Sequence, residues 1–116
     1  MTINEIARIL DAKIFCGEDL LEKEVHRGFG CDLMSDVLAY AENEAVLITG
    51  LINPQVVRTA EMMDILCLIF VRGKEPTEIM VKLAEERSIV LMTTPKGMFT
   101  SCGILHEAGL ESGDEH

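Results

Sequence analysis

The sequence predicts an α/β fold, a three-layer sandwich with a mostly parallel sheet built from consecutive β–α units. Three short apolar runs end at positions 50, 71 and 93, and a proline follows each run within five residues. The runs are apolar at almost every position, which is typical of strands that helices cover on both faces. Proline lacks an N–H and fits the first turn of a helix, so each proline predicts that a helix begins there.

The residues before the first run predict two helices and two strands. Thr2–Glu5 is a capping box, and apolar side chains at helical spacing predict a helix over residues 3–10. Strands are expected at Ala12–Cys16 and Glu24–Phe29, followed by a helix over about residues 33–42. Because parallel strands end at the same edge of a sheet, the loops after the three apolar runs should lie side by side.

Length and charge restrict the class of protein. The 116 residues suit one domain, predicted at 1–110, with a disordered acidic tail at 111–116. A net charge of −10 disfavours binding to nucleic acid or to an anionic membrane. The N-terminus has no signal-peptide pattern and no apolar run could span a bilayer, so we expect a cytoplasmic protein.

Candidate binding residues follow the three apolar runs. In open α/β sheets, ligands bind outside the carboxyl ends of the strands. Three cations and three predicted helix N-termini there favour a small anionic ligand, such as a nucleotide or a phosphorylated metabolite. The alternative is that these are ordinary loop and helix-capping residues, with Asn53 and Thr94 as caps. The candidate residues are Thr49, Gly50, Asn53, Arg72, Gly73, Lys74, Thr93, Thr94 and Lys96.

The sequence predicts no catalytic residue, metal ligand or cofactor. Its four cysteines form no C-x-x-C pair, and no grouping of histidine with a nucleophile can be argued. Cys31 and Cys102 stand near predicted helix N-termini, where a thiolate is favoured, so a cysteine-dependent redox or metal-binding protein is an alternative. Gly28 and Gly30 lack the third glycine of a G-x-G-x-x-G loop and are predicted to be turn or close-packing positions.

Several segments together resemble the DRTGG domain, a small regulatory α/β module of prokaryotes, over about residues 2–110. The resemblance rests on the opening helix with Ala12-Lys13-Ile14, on Gly30–Ala39, on Ile48-Thr49-Gly50 and on Thr93-Thr94-Pro95. The N-terminal domains of HPr kinase and of the Mur ligases are more distantly similar. The resemblance implies a non-catalytic regulatory module that binds a small anionic ligand or a protein partner and acts as a homodimer. A scaffold subunit of a larger complex is a further alternative.

This sequence departs from the family at the residues that give the family its name. The resemblance places an Asp-Arg pair after one strand and Thr-Gly-Gly after the next. Here Gly50 is followed by Leu51-Ile52, and the next strand is followed by Arg72-Gly73-Lys74. Only Gly50 and Gly73 are therefore carried over, as loop glycines.

Overall fold

The computed structural model describes residues 1–113, which fold into five α-helices, one short 3-10 helix and six strands. The helices are α1 (Ile3–Ile9), α2 (Met34–Tyr40), α3 (Pro54–Met62), α4 (Glu78–Arg87) and α5 (Met98–Glu107), and the 3-10 turn covers Glu18–Leu20. The strands are β1 (Lys13–Cys16), β2 (Arg27–Gly30), β3 (Val46–Thr49), β4 (Cys67–Phe70), β5 (Val90–Thr93) and β6 (Glu111–Ser112). None of the described helices, the longest of which has ten residues, could cross a bilayer.

The sheet has the predicted, mostly parallel architecture. Its strand order is β1-β5-β4-β3-β2-β6, and only β1 runs antiparallel to its neighbour. Thr49 lies beside Phe70, and Phe70 lies beside Thr93, so β3, β4 and β5 end level with one another. The prediction that the three apolar runs lie side by side in one direction is confirmed.

Two apolar cores lie on the two faces of the sheet. One face packs against α2, α3 and α4 through residues such as Leu47, Leu68 and Phe70. The other face packs against α1 and α5 and includes Val46, Ile48, Ile69 and Met92 from the strands. Every residue of β3, β4 and β5 is buried. The structure is therefore the predicted three-layer sandwich.

The prolines open their helices less uniformly than predicted. Pro54 occupies the first turn of α3, as expected. Pro76 instead precedes Thr77, whose hydroxyl caps α4, and Pro95 lies two residues before Gly97, the N-cap of α5. In these two units the helix begins two and three residues after the proline, at Glu78 and Met98.

The predicted disorder from residue 111 onwards is wrong for Glu111–Gly113. Glu111 and Ser112 pair in parallel with β2, and the Gly113 N–H donates to the Gly28 carbonyl at 2.8 Å. The guanidinium of Arg27 donates to the Ser112 carbonyl at 3.1 Å. A polar segment without strand propensity is thus ordered because β2 offers it an open edge. The predicted tail residues 114–116 lie outside the described residues.

The turn after α4 provides a test of the backbone geometry. Ser88 ends the helix with a φ of 58°, a left-handed conformation in which a side chain costs about 1–2 kcal/mol. Glycine removes that strain but loses more chain entropy on folding, so Ser88→Gly should raise the free energy of unfolding by about 0.5–1 kcal/mol in urea denaturation. Ser88→Ala keeps a Cβ and should give no such gain. A Ser88→Gly protein that is no more stable than the parent would contradict this account.

Candidate functional site

The loops after β4 and β5 are bonded to one another. The Arg72 N–H donates to the Lys96 carbonyl and the Gly73 N–H to the Thr94 carbonyl, both at 2.8 Å. The Thr93 hydroxyl donates to the Lys74 carbonyl, also at 2.8 Å. The structure thus brings the predicted residues of these two loops together, and we call the edge formed by the ends of β3, β4 and β5 the carboxyl rim.

The end of β3 joins the carboxyl rim through a carboxylate that the sequence analysis did not single out as a binding-site residue. Asp32 accepts from the Thr49 hydroxyl at 3.0 Å and from the Gly50 N–H at 2.6 Å. The Lys74 ammonium then donates to the Gly50 carbonyl at 3.0 Å. These bonds connect all three loops, and they place the Asp32 carboxylate at the β3 end of the carboxyl rim.

Two of the three helices that begin at the carboxyl rim, α3 and α4, are capped at the N-terminus by the side chain of their N-cap residue. The Asn53 side chain accepts from the Gln55 N–H at 2.8 Å, and the Thr77 hydroxyl accepts from the Met80 N–H at 3.3 Å. The N-cap of α5 is Gly97, which has no side chain to cap the helix. The first N–H groups of α5 therefore carry their partial positive charge without a capping side chain.

A guanidinium lies beside this uncapped helix end. A Cβ built on Gly97 would lie 4.0 Å from the Arg72 Nε. Arg72 holds a left-handed backbone conformation with a φ of 58°, and Gly73 follows with a φ of 69°. A non-glycine residue in this conformation is strained, and such strain is concentrated at functional sites. The α5 N-terminus and Arg72 therefore bring positive charge to the same part of the carboxyl rim.

Two of the candidate residues use their side chains in local hydrogen bonds. The Thr94 hydroxyl is buried and donates to the Leu10 carbonyl at 2.6 Å, which ties the β5–α5 loop to the end of α1. The interpretation of Thr94 as a helix cap is wrong, because the N-cap of α5 is Gly97. Asn53 is a cap, as that alternative proposed, and its side-chain oxygen is occupied by the Gln55 N–H.

A concave site lies at the β2 edge of the sheet. This cleft of about 570 Å³ runs between α5 and α2, and we call it the β2 cleft. A Cβ on Gly30 would stand 2.7 Å from the Cys102 sulfur, and one on Gly28 would stand 2.8 Å from a Leu110 methyl. Both glycines therefore allow α5 and the segment after it to lie close to β2. The prediction that they are close-packing positions is confirmed.

The cysteines offer little support for thiol chemistry. Cys31 packs against the core on the α2 face and Cys102 against the core on the α5 face, so the two lie on opposite sides of β2. Burial raises the pKa of the Cys102 thiol. Desolvation likewise raises the pKa of Cys16 and Cys67. Within residues 1–113, no three histidine, cysteine or carboxylate side chains are grouped so that they could hold a metal ion.

Comparisons with known proteins identify a family. The model of the DRTGG domain matches residues 5–108 of this chain. A crystal structure of the CBS and DRTGG domains of the regulatory region of Clostridium perfringens pyrophosphatase, complexed with the activator diadenosine tetraphosphate, superposes with a TM-score of 0.74 at 16% identity. The match covers 98% of this chain and 51% of that one, so this chain spans about half of its length. No curated protein matches the sequence.

The raised pKa of Cys102 predicts the pH dependence of its alkylation. A thiol whose pKa is raised stays protonated at neutral pH, and only the thiolate reacts. Iodoacetamide labelling of Cys102, followed site by site with peptide mass spectrometry, should be slow at neutral pH and still accelerate above about pH 9. A labelling rate that levels off below about pH 8 would instead support the cysteine-dependent alternative.

Proposed function

This chain belongs to the DRTGG domain family, and on that premise we propose that it is a non-catalytic regulatory module that binds a small anionic ligand at the carboxyl rim. The observation that carries the proposal is the α5 N-terminus, which lacks a capping side chain and lies beside Arg72. Helix N-termini with a neighbouring guanidinium suit phosphate groups, because the N–H groups and the guanidinium both donate to anionic oxygens.

The charges of the carboxyl rim support an anion at the β4–β5 end. Arg72 and Lys96 lie there, in a chain with only ten lysines and arginines and a net charge of −10, whereas the Lys74 ammonium is bonded to the Gly50 carbonyl at the β3 end. Asp32, whose carboxylate is bonded to Thr49 and Gly50, lies at the β3 end and would repel an anion from that side. A phosphate group is therefore expected between Arg72 and the first turn of α5.

The loop bonds support a preformed site. Backbone hydrogen bonds join Arg72 to Lys96 and Gly73 to Thr94, so binding would not first have to order these loops. Preorganisation of this kind lowers the entropic cost of binding. The relative of known structure was crystallised with diadenosine tetraphosphate, which supports a nucleotide with several phosphates as the class of ligand.

A homodimer is the second part of the proposal. Large apolar side chains that are exposed on a single chain commonly mark surfaces for association. In this chain they occur on several helices, and a dimer would bury part of them. The exposed side chains are Ile9, Leu33, Leu38, Tyr40, Met62, Ile79 and Phe99.

Removal of the guanidinium tests the anion site. We expect ATP or diadenosine tetraphosphate to raise the melting temperature of the parent protein, and Arg72→Gln to weaken binding about 10- to 100-fold, since a charge-assisted hydrogen bond contributes about 1.5–3 kcal/mol. Arg58→Gln is the matched control, because Arg58 is exposed in the middle of α3. Equal affinities of the two variants, or no response to any phosphate compound including pyrophosphate, would refute the anion site.

Sedimentation velocity tests the homodimer. The chain has a mass of 12.8 kDa, and we expect a species of twice that mass at micromolar concentration, because association would bury exposed apolar surface. The measurement is repeated with diadenosine tetraphosphate to reveal any coupling between ligand and assembly. A single monomeric species across the whole concentration range would show that the regulatory module acts without self-association.

A further inference from the structure

The outer edge of β2 has backbone groups without a strand partner. Alternate residues of a strand direct their N–H and C=O to opposite neighbours. The Cys31 N–H donates to Ile48 of β3, whereas the carbonyls of His26 and Gly28 accept from Glu111 and Gly113 on the other side. Gly30 has the same parity as Gly28, so its N–H and C=O point to the side on which β6 lies.

β6 ends before it reaches Gly30. Its last ladder pair is Ser112 with Gly28, and the Gly113 carbonyl instead accepts from the Glu42 N–H at 2.6 Å. Gly30 is exposed, and among residues 1–113 no backbone group pairs with it on this side. Gly30 therefore presents one N–H donor and one C=O acceptor to the β2 cleft. One residue of an extended chain could pair with both groups.

The surroundings of Gly30 are apolar and exposed. Phe99 on α5 and Tyr40 on α2 line the β2 cleft, and their exposed fractions are 92% and 53%. Two exposed aromatic rings therefore stand at the walls of the cleft onto which Gly30 opens.

The β2 cleft is lined by two acidic side chains. Asp36 and Glu111 line it, and no cationic side chain among residues 1–113 lies within 4.0 Å of the Asp36 carboxylate. Arg27 is 3.9 Å from Glu111 but has a closer partner in Glu42, at 3.1 Å. With a net charge of −10 on the whole chain, a basic segment is attracted and an acidic one is repelled.

We propose that the β2 cleft binds an extended, apolar and basic peptide segment of a partner protein, which pairs with the N–H and C=O of Gly30. Apolar side chains of the segment contact Phe99, and its basic side chains lie near Asp36. The residues that follow Gly113 in the sequence, Asp114-Glu115-His116, are acidic and have no aliphatic side chain, so their side chains do not match the acidic and apolar walls of this cleft. The inference goes beyond the anion site, since the β2 cleft contains none of the carboxyl-rim loop residues.

The test uses the full chain and a short peptide that alternates lysine and valine, with its ends acetylated and amidated. The two-dimensional amide NMR spectrum of the protein is followed during titration. We expect the Gly30 amide to move and the Gly73 amide, at the carboxyl rim, to stay in place. A peptide that alternates glutamate and valine is the control for charge.

Two further peptides test the backbone pairing. One carries N-methyl groups on the lysine backbone nitrogens and the other on the valine backbone nitrogens. Only one of them should still bind, since only alternate residues of an extended peptide direct their N–H groups toward β2.

Two variants of exposed residues test where the peptide contacts the protein, and neither changes a core residue. Phe99→Ser should weaken peptide binding by about 10-fold, because it removes an aromatic anchor. Met62→Ser is the matched control, since Met62 is 67% exposed at the end of α3 and does not line the β2 cleft. Both residues are exposed, so both variants should retain the spectrum of the folded parent protein.

Four results would overturn the proposal. The first is that the lysine–valine peptide does not bind at millimolar concentration, and the second is that it binds without shifting the Gly30 amide. The third is that the glutamate–valine peptide binds equally well. The fourth is that both N-methylated peptides bind equally well. A Gly30 shift that depends on protein concentration without any peptide would identify a second copy of this chain as the occupant and would overturn it too. Loss of anion binding in Arg72→Gln leaves this test unaffected, so the two proposals fail separately.

Discussion

Burial of β3, β4 and β5 on both faces is the constraint from which the rest of this structure follows. Every residue of these strands is buried, so each face needs a covering layer of helices. A helix that covers the sheet also returns the chain to its starting edge, which makes the next strand parallel to the last. The strand ends then meet at one edge, and the carboxyl rim is a consequence of how the core is built.

A second constraint is the close approach of α5 to β2. It depends on two positions without a side chain, since a Cβ on Gly30 would meet the Cys102 sulfur at 2.7 Å. Bulkier residues at Gly28 and Gly30 would push α5 and the segment after it away from the sheet, and β6 would lose its place. The end of β2 stays uncovered on its outer side because the last ladder pair of β6 is Ser112 with Gly28.

The parts of the fold that the sequence predicts are those set by local pattern. Continuous apolar runs identified the parallel strands, and capping and spacing placed the helices to within a few residues. The hydrogen bonds of Asp32 and Thr94 and the strand β6 were not predicted, because they depend on tertiary structure. The Asp32 carboxylate meets residues 17 and 18 positions away, and the Thr94 hydroxyl meets a carbonyl 84 positions away. No spacing rule identifies such partners, because the fold brings them together only after the strands have been ordered.

The sequence predicted which loops meet at the carboxyl rim, but only some of the hydrogen bonds that their side chains make. The rule that ligands bind at the carboxyl ends of parallel strands placed Arg72, Lys74 and Lys96 at one edge. The cap at Asn53 was one of the two interpretations of the sequence and the structure contains it, but the rule could not show that Gly97 leaves α5 without a capping side chain. That difference depends on one side chain at each helix start, and the prolines gave the wrong start for two of the three helices.

Helix α5 connects the two proposed sites. Its first turn lies beside Arg72 at the carboxyl rim, and Phe99, Cys102 and His106 line the β2 cleft. The loop before α5 is fixed to α1 by the Thr94 hydroxyl and to the neighbouring loop by the bond from the Arg72 N–H to the Lys96 carbonyl. Because these bonds hold the first turn of α5 in place, an anion beside Arg72 would meet a helix end that is already positioned and would leave the shape of the β2 cleft unchanged.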